Sequence, residues 1–302
     1  MLKAWSAVLT LSLVSGCAMP PKVPDAARSE LAPTGKLRAG MNLGNALFTT
    51  KDVATGELRG VSVDVMRELA SRLGVPVDFI VHATPGDVAD ASAAGTWDVA
   101  VLAIEQARAE KIAFSPAMTE IEATYVVHRN SPLRSVEQVD APGTRISAPE
   151  KAGYELCLTR TLRNATLVRA KSVQASIDLF NERGTDALAG LKPALLESMG
   201  RIPDGRLLEG KFMTVNHGLG VPRERPAAAE YLKAFVEEMK ASGFVARSIE
   251  RNGVQGRPSG SPSPSRHLPA SGGPRTSCPS RTGICLPGSA AMRTLPSFPS
   301  SR

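Results

Sequence analysis

The sequence predicts an α/β protein of two lobes, each built on a parallel sheet. Three observations carry that expectation. Strand-like and helix-like segments alternate in two successive sets along the chain. The run Val99–Ile104 is apolar without a break, as a parallel strand buried on both faces must be. An extended stretch, Ile121–His128, joins the two sets, so a cleft between lobes is expected.

The first set opens with a strand at Lys36–Met41. Val61–Leu73 is an amphipathic helix: Val61, Val65, Met66, Leu69 and Leu73 share one face, and Gly74 stops it. Val77–Val81 is the next strand. Thr84-Pro85-Gly86-Asp87 opens a helix, with Thr84 as N-cap, Pro85 first and an acid at the third position. Val99–Ile104 closes this set. The second set runs strand Thr144–Ala148, helix Ala152–Leu162, strand Ala165–Val168, helix Val173–Arg183 and strand Asp186–Ala189. In the second of these helices Val173, Ile177 and Phe180 face inward. A last helix, Pro226–Met239, buries Leu232, Phe235, Val236 and Met239. Ligands of open α/β sheets sit at the C-terminal ends of the strands, where loops and helix N-termini converge. Both lobes would turn those ends to the cleft.

Composition removes other classes. With 302 residues, 42% hydrophobic and 22% charged, the chain is neither wholly disordered nor a membrane bundle. The net charge of +7 lies at the ends. Residues 257–302 hold six arginines and no lysine or acid, and Lys3 stands alone in residues 1–16. Residues 17–256 balance 29 basic against 29 acidic side chains, so no basic groove for nucleic acid is expected.

The N-terminus reads as an address. Lys3 precedes the apolar run Ala4–Val14, too short to span a bilayer. Val14-Ser15-Gly16-Cys17 resembles the lipobox of bacterial lipoproteins. Residues 1–16 would then be a signal peptide, and Cys17 the acylated first residue. The alternative is an ordinary cleaved signal with an incidental cysteine; either way the chain leaves the cytoplasm. Residues 17–35, with Pro20, Pro21 and Pro24, read as an extended tether. Residues 256–302, rich in Pro, Ser, Gly and Arg, read as a disordered tail. Its composition fits out-of-frame read-through or a surface-binding basic tail. Cys157 lies in a helical pattern and reads as a buried inert thiol. Whether Cys278 and Cys285 pair is left open. No Cys-x-x-Cys pair and no Cys/His cluster occurs, so neither metal nor cofactor is expected. His82, His128 and His217 read as surface or hinge residues, and His267 lies in the tail. No phosphate-binding loop, nucleophile elbow or His-Glu-x-x-His is present.

Four stretches carry a family resemblance: LRAGMNLGNALF (37–48), Gly60-Val61-Ser62-Val63-Asp64, AAGTWDVAVLAIEQARAEKIAFSPA (93–117) and GVPRERPAAAEYLKAFVEEMKASG (220–243). In these the chain resembles the family-three extracellular solute-binding proteins of amino-acid-type ABC importers. The resemblance implies a type II periplasmic-binding-protein fold, with hinges near 120–126 and 216–221. Lobe one is then discontinuous, 36–121 plus 219–252, and lobe two is 122–218. It implies a monomer in the periplasm or cell envelope. Such a receptor captures a small anion or amino acid by hinge closure, without chemistry on it, and delivers it to a membrane permease.

The resemblance also assigns site residues. Arg108 would grip a carboxylate, for which a guanidinium fork is the matching shape. Asn42 and Asn45 would present side chains from the first cleft loop; turn formation beside Gly40 and Gly44 is their other reading. Lys151, Ala152 and Gly153 would bring helix-start N–H groups to the same carboxylate. The sequence departs from the family pattern at four residues in three places. Ala103 stands where a hydroxyl is usual, and Glu105 where a Thr is common. Leu191 and Lys192 stand where an Asp would neutralise an ammonium. Two readings are open: Glu105 supplies the missing charge, or the ligand is an anion without an amino group and Lys192 helps hold it. The resemblance leaves two rivals to the receptor. One is a cyclohexadienyl-dehydratase-like enzyme using Glu105, Glu120 or Glu122 as a pocket acid; the other is a sensory ligand-binding module.

Overall fold

The structure is a computed structural model and describes residues 22–252. The expectations for Cys17, the signal peptide and residues 256–302 fall outside them. In chain order the elements are α1 (Asp25–Leu31), β1 (Leu37–Asn42), β2 (Thr50–Lys51), β3 (Leu58–Arg59), α2 (Val61–Leu73), β4 (Val77–His82), α3 (Pro85–Asp90), β5 (Val99–Ala103), α4 (Gln106–Ala109) and β6 (Ile112–Phe114). There follow β7 (Thr119–His128), β8 (Arg145–Pro149), α5 (Gly153–Thr161), β9 (Thr166–Ala170), α6 (Val173–Asn181), β10 (Ala187–Leu191), α7 (Lys192–Ser198), β11 (Gly205–Leu207), β12 (Met213–Pro222), α8 (Pro226–Ala241) and α9 (Phe244–Arg251).

One mixed sheet runs through the molecule in the order β4-β1-β5-β12-β7-β10-β8-β9. It consists of two half-sheets. β4, β1 and β5 are parallel, and so are β10, β8 and β9. Between them lie the two longest strands, β7 and β12, antiparallel to each other. β12 also runs antiparallel to β5, and β7 to β10. The two alternating sets of the sequence thus become two α/β halves joined through one pair of crossing strands. β5 and β10 are buried along their whole length, as unbroken apolar strands covered on both faces should be.

Local chemistry explains the helices that frame the cleft. α2 begins and ends where its pattern predicts, and Gly74 caps it at φ 63. Its entry needs Gly60: at φ 128, a Cβ there would lie 2.1 Å from the Phe48 carbonyl oxygen. α3 carries a full capping box. The Thr84 hydroxyl accepts from the Asp87 N–H (3.1 Å), and the Asp87 carboxylate accepts from the Thr84 N–H (3.0 Å). Ser172 caps α6 by accepting from the Ala175 N–H at 3.1 Å.

Two expectations need correction here. Residues 25–31 are not extended tether; they form α1, which buries Ala27 and Leu31. The Glu30 carboxylate accepts from the Ala228 N–H at the start of α8 (2.8 Å), satisfying a donor the helix cannot pair internally. Cys157 is buried in α5 as its pattern predicts, but it is disulfide-bonded and not an inert thiol.

The first half is anchored by a charge. Asp98, fully buried ahead of β5, accepts from Arg38 through Nε (3.0 Å) and Nη2 (2.7 Å) and from Arg225 Nη1 at 2.7 Å. These bonds tie β1, β5 and the start of α8. Removing one member of a buried ionic group strands the rest without a partner. Asp98→Asn is expected to lower unfolding free energy by about 3 kcal/mol, seen as a drop in the urea midpoint with the slope unchanged. A midpoint equal to wild type would contradict this role.

Candidate functional site: a cavity between the half-sheets

A cavity of about 430 Å³ opens between the halves, where the C-terminal strand ends meet. From the first half come the loop after β1, the start of α3, the end of β5 and Arg108. From the second come Ala152–Tyr154 at the start of α5, Ser172–Gln174 at the start of α6, and Leu188–Leu191 at the end of β10. Val215 and His217 of β12 form its floor at the crossing strands.

Arg108 sits on the single turn of α4 directly after β5 and is 6% exposed. Its guanidinium joins both halves: Nη1 donates to the Ala103 carbonyl (3.1 Å), and Nη2 to the Lys151 carbonyl across the cleft at 2.7 Å. Burial pulls its pKa down to about 10, partly opposed by Glu105 and Asp90, so the charge persists at neutral pH. The Lys151 carbonyl reaches it because Lys151 is left-handed, at φ 58. Two contacts hold that costly turn. The buried Glu155 carboxylate accepts from the Lys151 N–H at 2.9 Å, and Lys151 Nζ pairs with Asp90 at 2.5 Å. The Lys151 side chain therefore lines a neighbouring hollow and not the main cavity; only its carbonyl takes part.

Ala152 and Gly153 line the cavity as expected. Gly153 also permits the halves to touch: a Cβ there would lie 2.6 Å from the Ala103 methyl. Asn42 and Asn45 line it too, and each also makes its turn. Asn42 Oδ1 accepts from the Gly44 N–H (2.8 Å), and Asn45 Oδ1 from the Leu47 N–H at 3.2 Å. Ala103 and Leu191 contribute apolar wall.

Glu105 and Lys192 are corrections. Glu105 is buried but off the cavity lining, and it binds Arg160 across the cleft at 2.8 Å. Lys192 is likewise off the lining and pairs with Glu122 at 3.2 Å. In each case a nearby opposite charge competed for the side chain and won. A sequence read one segment at a time does not show such partners.

His217, read from sequence as a surface or hinge residue, is a buried cavity residue. Its ring packs tilted against Phe48, with centroids 4.6 Å apart and an interplanar angle of 48°, and Nδ1 has no hydrogen-bond partner among the described residues. Burial, helped by the Arg108 charge, lowers its pKa to about 3, so the ring is neutral. Its one advance signal was a histidine beside the glycines Gly218 and Gly220 of the hinge segment. Among the described residues no group of His, Cys, Asp or Glu is placed to hold a metal ion, and no helix is long and apolar enough to cross a membrane.

A two-lobed α/β body with a solute-sized cavity at its crossing strands defines the class of hinged binding proteins. The chain belongs to the bacterial extracellular solute-binding proteins, family 3, whose family model matches residues 37–254. No curated protein matches it. Among solved structures, a mutant of ArgBP from T. maritima is 20% identical with TM-score 0.64, covering 74% of this chain and 98% of that one. The amino acid ABC transporter substrate-binding protein AbpA from Streptococcus pneumoniae, bound to L-arginine, is 19% identical with TM-score 0.64, covering 74% and 96%. The ancestral amino acid-binding protein AncCDT-1, a precursor of cyclohexadienyl dehydratase, is 20% identical with TM-score 0.63, covering 74% and 98%. At these identities the likeness establishes the fold.

Two outcomes are expected. Gly153→Ala crowds Ala103 and opposes closure by about 1–3 kcal/mol. Small-angle scattering should give a larger radius of gyration, restored when Ala103→Gly is added; no rescue would contradict the contact. For His217, the folded-state pKa lies below the ordinary value of 6.5. Its neutral form therefore favours folding above pH 6.5, and that contribution is lost as pH falls toward 3. Denaturation across that range should show His217→Phe flattening the acid loss of stability by up to about 1.4 kcal/mol per pH unit. An unchanged slope would contradict it.

Proposed function

We propose that this protein is the receptor of an ABC importer and that Arg108 anchors the carboxylate of its solute. The observation that carries the reading is a buried, charged guanidinium in the interlobe cavity, hydrogen-bonded to carbonyls of both halves rather than to an acid. A bound carboxylate supplies the missing opposite charge in bidentate geometry. Ala152, Gly153, Asn42 and Asn45 complete the first contacts from either side.

The mechanism is closure about β7 and β12, with residues 36–121 and 219–252 as one lobe and 122–218 as the other. A solute that touches both lobes stabilises the closed form by its differential affinity for it. The closed lobes then dock on a membrane permease, and Cys17 tethers the monomer to the membrane through lipid. No chemistry on the solute is needed. The acids a dehydratase reading would use lie elsewhere: Glu105 binds Arg160, Glu122 binds Lys192 and Lys211, and Glu120 is exposed. None of the three lines the cavity.

Arg108→Gln should weaken solute binding about 100-fold, the loss of charge-assisted bonds worth roughly 1.5–3 kcal/mol each. Native mass spectrometry should find a carboxylate-bearing solute retained by wild type and absent from the variant. Equal retention by both would remove Arg108 from the site.

A further inference from the structure

The cavity's polar groups are unequal in kind. Arg108 commits two of its N–H groups to carbonyls, and a guanidinium has five. Asn42 and Asn45 each spend the amide oxygen on a backbone N–H, leaving the NH₂ end as the group to offer. The starts of α5 and α6, each of nine residues, add the positive ends of two helix dipoles. The charged and dipolar groups aimed into the interior, Arg108 and the two helix starts, favour an anion; the remaining polar groups, such as the Thr49 hydroxyl and the neutral His217 ring, carry no charge.

Among the described residues, acceptors with charge are absent from the cavity interior. Glu105, the buried acid nearest in sequence to Arg108, is bound to Arg160 and lies off the lining. The two acids of the lining are peripheral: Glu150 pairs with the exposed Lys171 at 3.1 Å, and Glu197 is exposed. β10 ends in Leu191, apolar wall, and the next residue is Lys192, bonded to Glu122. An ammonium carried in beside Arg108 would be buried next to a like charge, with a neutral His217 as its titratable neighbour. Burying an unpaired charge is strongly disfavoured. The walls, from Phe48 and Val101 to Tyr154, Ile177 and Val215, are apolar or aromatic.

From this charge inventory we infer that the solute is a small carboxylic acid with an apolar body and no charged amino group. The inference rests on the receptor reading above and narrows it to a ligand class.

The test is calorimetric titration of the full wild-type chain with matched pairs that differ only at the α-carbon. The pairs are L-leucine against 4-methyl-2-oxopentanoate, L-phenylalanine against 3-phenyl-2-oxopropanoate, and L-alanine against 2-oxopropanoate. In each pair that binds, the oxo acid should be tighter by at least about tenfold, the least an unpaired buried ammonium should cost. Equal or tighter binding of the amino acid overturns the inference, as does a failure of every acid to bind. The receptor reading fails differently. If an amino acid is preferred and Arg108→Gln abolishes its binding, the carboxylate anchor stands and only the ligand class falls. If Arg108→Gln leaves the affinities unchanged, the anchor itself falls.

Discussion

A guanidinium that water scarcely reaches must be held by oxygens, and in this protein the oxygens come from opposite sides of a cleft. That constraint organises the site. Arg108 can lie where it does because α4 is a single turn closing straight off β5, because Lys151 adopts a backbone conformation that non-glycine residues avoid, and because Glu155 holds the turn in place. Carbonyl dipoles stabilise the cation without neutralising it. The charge is left available for something that arrives from outside.

The scaffold serves that charge. Asp98 with Arg38 and Arg225 locks the base of one half. β7 and β12 keep both halves in one hydrogen-bonded sheet. Along β12, His217 faces Ala103 on one side and Thr119 on the other, so a cavity residue is placed by the same strand that carries the hinge. Geometry at the floor of the cavity is therefore set by β-ladder register and not by loop packing.

The fold was largely legible because its strongest signals are local. The 13-residue helix α2 has a periodic apolar face and a glycine stop; α3 announces its start in four residues; β5 is apolar throughout. The elements that escaped pattern reading are those decided by distant partners. α1 exists because α8 offers Leu31 a place and Glu30 a donor. β12, with Gly218 and Gly220, has little strand propensity and is held by neighbours on both edges. Within the site, Arg108, Ala152 and Gly153 came from motif position and fall together in space. Glu105 and Lys192 were credible from charge alone, and Arg160 and Glu122 reassigned them. His217 was misplaced because burial, which strips it of charge, is a property of the assembled cavity.

Three contacts that bridge the halves involve no solute: Arg108 with the Lys151 carbonyl, Lys151 with Asp90, and Glu105 with Arg160. Bonds of this kind add to the stability of the shut form independently of any solute contact. Cargo must then wait for spontaneous gaping before it enters, so capture is gated by a unimolecular step and saturates at high solute concentration. A form held shut by these bonds alone would share its outer shape with a loaded one. On the receptor reading proposed above, such a form would compete with loaded receptors for the permease, and the ratio of the two populations would set how steeply import follows supply.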